Sequence, residues 1–136
     1  MIGVAMNIEA MRDALRGSER GELVFPRVVG MLIEAGVESY NADLVNHRYS
    51  YYMPDGETHI EEGALAVPPV AEEFSSDKVV AAIRAAQADT VRYPEFLKLA
   101  AHAGVVSYRV FLTGKRAVYF GRKGEIHVEE FPRLNP

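Results

Sequence analysis

The chain has 136 residues, a formal net charge of −4, 49% hydrophobic and 25% charged residues, and no cysteine. That length suits one domain burying roughly two thirds of its unfolded surface, and a cysteine-free chain has no disulfide, thiolate nucleophile or zinc–thiolate site. With an acidic balance and no clustered Lys/Arg run, no span long enough for a bilayer and no basic leader in the first six residues, neither nucleic acid nor membrane is an expected partner, and a cytoplasmic setting is expected.

In chain order, Asn7 reads as the N-cap of a short amphipathic helix with Met11, Ala14 and Leu15 at helical spacing, and Gly17 as its C′ residue. A second helix is predicted from Pro26, at the first helical position, to Gly36 in the left-handed C′ position. Val28, Val29, Met31, Leu32 and Ile33 are apolar almost all round, so this helix is expected to be the buried one. Residues 37–45 then alternate, with Tyr40, Ala42 and Leu44 on one face and Asn41 and Asp43 on the other. Asn46-His47 makes a tight turn with a left-handed first central residue, 48–53 forms a second strand, Asp55-Gly56 turns again, and 57–61 forms a third. Residues 63–76, with Pro68-Pro69 inside, link this unit to a second one.

The second unit repeats the first. Residues 25–62 align with 93–130 at a constant offset of 68 with no gap, and fourteen of the 38 positions are identical, among them Pro26/Pro94, Gly36/Gly104, Tyr40/Tyr108, Tyr51/Tyr119 and His59/His127. Ala14/Ala82 and Arg16/Arg84 extend the match upstream, so the copies run over about 9–62 and 77–130. The first helix of copy two follows Ser75-Ser76-Asp77 and carries Val79, Val80, Ile83 and Ala86. Gly114-Lys115 and Lys123-Gly124 repeat the two turns, and 131–136 form a tail. Two copies with so long a period argue against a solenoid and for a pseudo-dimer. The expected fold is α+β: one domain over 1–136 built from two helix–helix–three-strand units with antiparallel sheet.

Glu57-x-His59-x-Glu61 and its twin Glu125-x-His127-x-Glu129 are the chemically suggestive motifs, since period-two geometry puts Glu, His and Glu on one strand face, twice. Imidazole with two carboxylates can ligate a divalent ion, and a carboxylate beside histidine supports acid/base work. The plainer reading has Thr58/Ile60 and Ile126/Val128 facing the core and the charged face solvated. Alternate residues stand nearly 7 Å apart, so convergence on one ion requires the two third strands to meet at the pseudo-two-fold axis.

The outer sheet face differs between copies. Copy one presents Asn41, Asp43, Arg48, Ser50 and Tyr52, and copy two presents Arg109, Phe111, Arg116, Val118 and Phe120. Phe111, Val118 and Phe120 on a face expected to meet water suggest a protein partner, a second subunit in a homodimer or the C-terminal tail. The rival assignment puts that face inside, because Tyr49, Tyr51 and Met53 make the other face of the second strand equally apolar. Arg48 and Arg116, with Tyr51 and Tyr119 three residues on, could line a ligand cleft, and serve equally as edge arginine and core tyrosine. His47, His102 and Glu72-Glu73 read as solvated.

No phosphate loop, Gly-x-Ser-x-Gly elbow, His-Glu-x-x-His or dinucleotide fingerprint is present, which lowers the expectation of an enzyme, and no cofactor is expected. The run Ala35-Gly36-Val37-Glu38-Ser39-Tyr40 with Tyr51-Tyr52, repeated at Ala103-Gly104-Val105 through Tyr119-Phe120, resembles the YdfO/YbcV-like domain-of-unknown-function family. Its members are small prophage-associated bacterial proteins often labelled phage envelope proteins. The resemblance covers nearly the whole chain and implies no catalytic or binding residue. The leading expectation is a non-enzymatic accessory module binding a partner or itself through the outer face. The alternatives are a small-molecule or metal binder using a cleft between the repeats, and a small hydrolase using His59 or His127.

Overall fold

The computed structural model describes residues 6–132; readings of 1–5 and 133–136 lie outside the described residues. Ten elements follow: α1 (Ile8–Glu19), α2 (Phe25–Glu34), β1 (Ser39–Asp43), β2 (Arg48–Tyr52), β3 (Thr58–Glu62), α3 (Ser76–Gln87), α4 (Tyr93–His102), β4 (Val105–Phe111), β5 (Arg116–Gly121) and β6 (Ile126–Glu130). The 68-residue period is kept at both ends of α1/α3, α2/α4 and β3/β6. The fold is the expected α+β, two helix–helix–three-strand units on one antiparallel sheet.

Local signals explain most boundaries. Asn7 Oδ1 accepts from Ala10 N at 3.1 Å and Ser75 Oγ from Lys78 N at 3.2 Å, capping α1 and α3. Pro26 and Pro94 sit one place later than expected, after Phe25 and Tyr93, still within the first turn where a missing N–H costs nothing. Gly36 (φ 89°) and Gly104 (φ 90°) take the left-handed conformation that ends α2 and α4. Gly17 does not end α1. The helix continues to Glu19 and is stopped by Gly21 (φ 72°), while Gly17 is small because the Leu23 side chain lies against it; an added Cβ would stand 2.5 Å from Leu23 Cδ1. In the first hairpin of each copy the left-handed residue is His47 (φ 60°) or Lys115 (φ 56°), not Asn46 or Gly114. In copy one the Asp43 carboxylate accepts from Val45 N and Asn46 N, which braces the loop in this winding.

The sheet order is β3-β2-β1-β4-β5-β6, every neighbour antiparallel. Copies meet at β1 and β4, where Asn41 faces Arg109, its own counterpart in the repeat. The pseudo-two-fold axis therefore passes between these two residues. Leu44 N donating to Val106 O and Leu112 N to Glu38 O, both 2.9 Å, flank it symmetrically.

Helices cover one sheet face only. Tyr40, Ala42, Tyr49, Tyr51, Tyr108, Val110, Ala117 and Tyr119 are buried beneath them with Met11, Leu15, Leu32, Val79, Ile83, Phe96 and Leu97. The rival assignment of the second strand thus falls away, because Tyr49, Tyr51 and Met53 are core. Helix α2, expected to be the buried one, has Leu32 as its only buried residue and leaves Ile33 54% exposed. Its counterpart α4 is the buried helix. The link between copies lies over α4, with Ala71 N donating to Ala101 O and Ser75 N to Ala103 O, and among the described residues no matching segment covers α2. No helix of the described residues is long and apolar enough to cross a membrane.

Candidate ligand site

Strand alternation aims Tyr40 and Tyr49, Tyr51, Tyr108 and Tyr119 inward, and Tyr93 at the start of α4 joins them from the helical side. These six tyrosines line a cavity of about 390 Å³ between sheet and helices. That volume lies in the range of small-molecule sites, roughly 300–1,000 Å³. Its rim includes Leu23 to Pro26 before and within α2, Val91 and Arg92 before α4, and Phe131 after β6. Phe25 and Phe131 meet edge to face there, ring centroids 5.5 Å apart.

Three hydroxyls form a chain. Tyr93 Oη lies 2.6 Å from Tyr49 Oη and 2.7 Å from Tyr108 Oη. Among the described residues no protein group hydrogen-bonds the hydroxyls of Tyr40, Tyr51 and Tyr119, residues only 6%, 2% and 7% exposed whose oxygens are nonetheless not sealed in the packed core. Burial pushes all six phenols up, Tyr49 to about 12, so each is un-ionised and able to donate at neutral pH.

The repeat accounts for the asymmetry. At the offset of 68, Tyr93 corresponds to Phe25, Tyr49 to Ala117 and Tyr108 to Tyr40. The hydroxyl chain Tyr49–Tyr93–Tyr108 would have the mirror Ala117–Phe25–Tyr40, and two of those three lack a hydroxyl. Ala117 also lacks the ring that Tyr49 supplies, and Phe25 turns to Phe131. Phe25, Tyr40 and Ala117 all line the cavity. The positions at which the two halves differ therefore stand at the cavity wall, and Tyr40 lacks the hydroxyl partner that Tyr108 has in Tyr93.

The two Glu-x-His-x-Glu motifs are not brought together. Their strands β3 and β6 are the opposite edges of the sheet, five strand spacings or roughly 24 Å apart. Among the described residues no group of three His, Asp or Glu side chains is arranged to hold a metal. The plainer reading of these strands is also reversed. Ile60, Ile126 and Val128 are exposed on the outer face, and His59, Glu61, His127 and Glu129 point to the helical side, opposite Tyr51, Tyr49, Tyr119 and Ala117. The inversion has a cause in α1 and α3, which reach the sheet edges with arginines. Arg12 Nε donates to Glu61 Oε1 at 2.8 Å, with its Nη2 also 2.8 Å away, and the same oxygen accepts from His59 Nε2 at 2.8 Å. Arg84 Nη1 donates to Glu129 Oε2 at 2.8 Å, while His127 Nε2 stands 3.5 Å from Glu129 Oε1 without making a hydrogen bond. Burial alone would raise both carboxyls, but the arginine and histidine partners outweigh it and hold them below the usual range. Glu57 and Glu125 belong to the turns before these strands: Asp55 Oδ1 accepts from Glu57 N and Glu125 Oε1 from Lys123 N, both 2.9 Å.

The proposed cleft set is divided. Tyr51 and Tyr119 line the cavity, whereas Arg48 and Arg116 lie exposed on the opposite face, 3.8 Å from Glu62 and 3.6 Å from Glu130. Phe111, Val118 and Phe120 are half-buried on the outer face beside exposed Ile126 and Val128. Arg109 crosses from copy two to copy one there, its guanidinium 4.4 Å from the Tyr52 ring centre and its Nη2 donating to Ser39 Oγ at 3.1 Å. Tyr40, Tyr108, Tyr49, Tyr93, Phe25 and Ala117 did not stand out as site residues in the sequence. Their signal lay in the mismatched positions of the repeat.

Fold and cavity together define a duplicated α+β module with a tyrosine-lined interior at the junction of its halves. The chain belongs to the family described as Protein of unknown function (DUF1398), whose model matches residues 14–130. It is 31% identical over 131 residues to the uncharacterized protein Mb2035 of Mycobacterium bovis, an alignment covering 93% of this chain and 77% of that relative. The uncharacterized protein Rv2012 of Mycobacterium tuberculosis is similar to the same extent over the same shares.

Proposed function

We propose that this protein is a small-molecule-binding module whose ligand occupies the interior cavity between the two repeats. One observation carries the reading: a cavity of about 390 Å³ lined from both copies, with phenolic hydroxyls in its lining residues that have no protein partner. Natural cores leave few voids larger than a water molecule, so a space of this size with free hydroxyls fits a binding site better than a packing fault. The test is a thermal-shift screen of small aromatic and aliphatic compounds, charged and neutral, on the wild type and on Ala117→Tyr. That substitution restores the ring present at Tyr49 and fills part of the cavity. A ligand at about 100 times its dissociation constant adds roughly 2.7 kcal/mol, a rise of several degrees. Compounds that stabilise the wild type and not Ala117→Tyr are the expected result. Stabilisers acting equally on both proteins, or none at all, would overturn the reading.

A second reading rests on the outer face, where Phe111, Val118 and Phe120 adjoin Ile126 and Val128. This patch supports a protein partner or self-association, compatible with a ligand inside. Prophage origin, the YdfO/YbcV-like reading, has its support in the short runs around Gly36 and Gly104, and a cytoplasmic setting in the cysteine-free composition.

A further inference from the structure

The repeat records what a full set of side chains at this place looks like. In one half, Tyr93 of α4 inserts its hydroxyl between those of Tyr49 and Tyr108. In the other, the corresponding residues are Phe25, Ala117 and Tyr40, so the missing atoms are one phenol ring with its hydroxyl at position 117 and one hydroxyl at position 25. A void with an unpartnered donor at its wall remains.

We propose that the ligand is an uncharged aromatic molecule bearing a phenol-type hydroxyl, which fills the place of the absent ring and hydrogen-bonds the Tyr40 hydroxyl. This rests on the cavity being a ligand site and narrows its occupant.

Charge in the lining supports the assignment. Glu129 is held by Arg84, and Arg92 donates to Asp89 Oδ1 at 2.6 Å and Oδ2 at 3.2 Å and to Gly21 O at 3.0 Å. Every cationic or carboxylate side chain at the wall that could meet an ionic ligand, Glu130 at the rim apart, is thus already engaged within the protein. Glu130 stands 3.6 Å from Arg116 on the outer side. An ion entering such a space would lose its hydration for no counter-charge, a cost that a neutral molecule avoids. A hydroxyl both donates and accepts, as Tyr93 does in the intact half, whereas a bare hydrocarbon would leave Tyr40 unsatisfied.

Three matched sets test this: p-cresol, toluene and 4-methylbenzoate; 2-naphthol, naphthalene and 2-naphthoate; 4-phenylphenol, biphenyl and 4-phenylbenzoate. Affinities are measured by titration at pH 7 with the wild type, Tyr40→Phe and Ala117→Tyr. The expected result is that in at least one set the phenol binds roughly tenfold more tightly than its hydrocarbon, the usual worth of one hydrogen bond in a dry site, with no measurable binding of the carboxylate. Tyr40→Phe, which removes only a hydroxyl without a protein partner and leaves the fold intact, should bring the phenol-to-hydrocarbon ratio to about one. Ala117→Tyr should abolish binding in that set. Equal binding of phenol and hydrocarbon, tighter binding of a carboxylate, or a ratio unmoved by Tyr40→Phe would overturn the ligand class while leaving the cavity as a site. Absence of binding by every member of all three sets would overturn the ligand class and the cavity reading together.

Discussion

Tyr93 has the most consequential hydroxyl in the core, because two other phenols depend on it. Tyr93→Phe leaves the Tyr49 and Tyr108 hydroxyls buried without their common partner, and is expected to cost about 1–3 kcal/mol in denaturant unfolding with an unchanged slope. Phe25→Tyr, at the equivalent place on α2, should cost far less, since Phe25 lies partly exposed at the rim. Glu61 gives a pH signature. Its folded pKa lies below the ordinary 4.5 because Arg12 and His59 outweigh burial, so the folded state binds fewer protons than the unfolded one in that range. The stabilisation is complete above the unfolded value and is lost as pH falls through the lowered folded value. Glu61→Gln should therefore lower stability at neutral pH and converge on the wild type as pH falls below the ordinary carboxylate range, read as unfolding midpoint against pH. Equal loss at both ends would contradict the ion-pair account. At this scale the caps were legible: Asn7, Gly36 and Gly104 act as their chemistry suggests. His47 in the left-handed region was not, because the Asp43 side chain braces that loop and a side-chain hydrogen bond is invisible in residue preference alone; Lys115 takes the same conformation with Phe111 at the place of Asp43.

Glycines separate two costs at the level of elements. Gly104 and Gly124 have nearly the same backbone angle, φ 90° and 87°, but a Cβ at 104 would stand 2.5 Å from Glu73 O, whereas at 124 it would meet nothing within 4 Å. Gly124→Ala is expected to cost about 1–2 kcal/mol from the left-handed conformation alone. Gly104→Ala should cost clearly more, because the link between copies must lift off the end of α4. Equal losses in thermal unfolding would show that the link yields freely. The same link explains why helix burial was misread. Hydrophobic pattern ranks α2 above α4, yet the crossing segment decides which of two equivalent helices is covered, and its path does not show in either helix's periodicity. The inverted faces of β3 and β6 have a similar origin. Thr58/Ile60 and Ile126/Val128 look like core residues until Arg12 and Arg84 supply partners for the carboxylates on the other face.

Duplication makes the whole molecule legible, since a gapless offset of 68 forces equivalent elements and a two-fold arrangement of one sheet. What it could not convey was which strands lie at the axis: β1 and β4 meet there and the histidine strands become the edges. The same symmetry exposes the divergences, Tyr49/Ala117 and Tyr93/Phe25 inside and Ser50/Val118 and Tyr52/Phe120 outside. If the outer patch joins two copies, Phe111→Glu with Phe120→Glu should halve the mass seen by light scattering while circular dichroism is unchanged. Unfolding of that double variant would instead assign both rings to the structural core. The interior divergence is tested most directly by a crystal structure of the protein grown with the tightest-binding of the three phenols, 2-naphthol being the bicyclic case. The expected result is an aromatic ring between Ala117 and Phe25 with its hydroxyl about 2.5–3.0 Å from Tyr40 Oη. A core closed over that space by rotated Phe25 or Tyr119, with no phenol inside, would contradict the account.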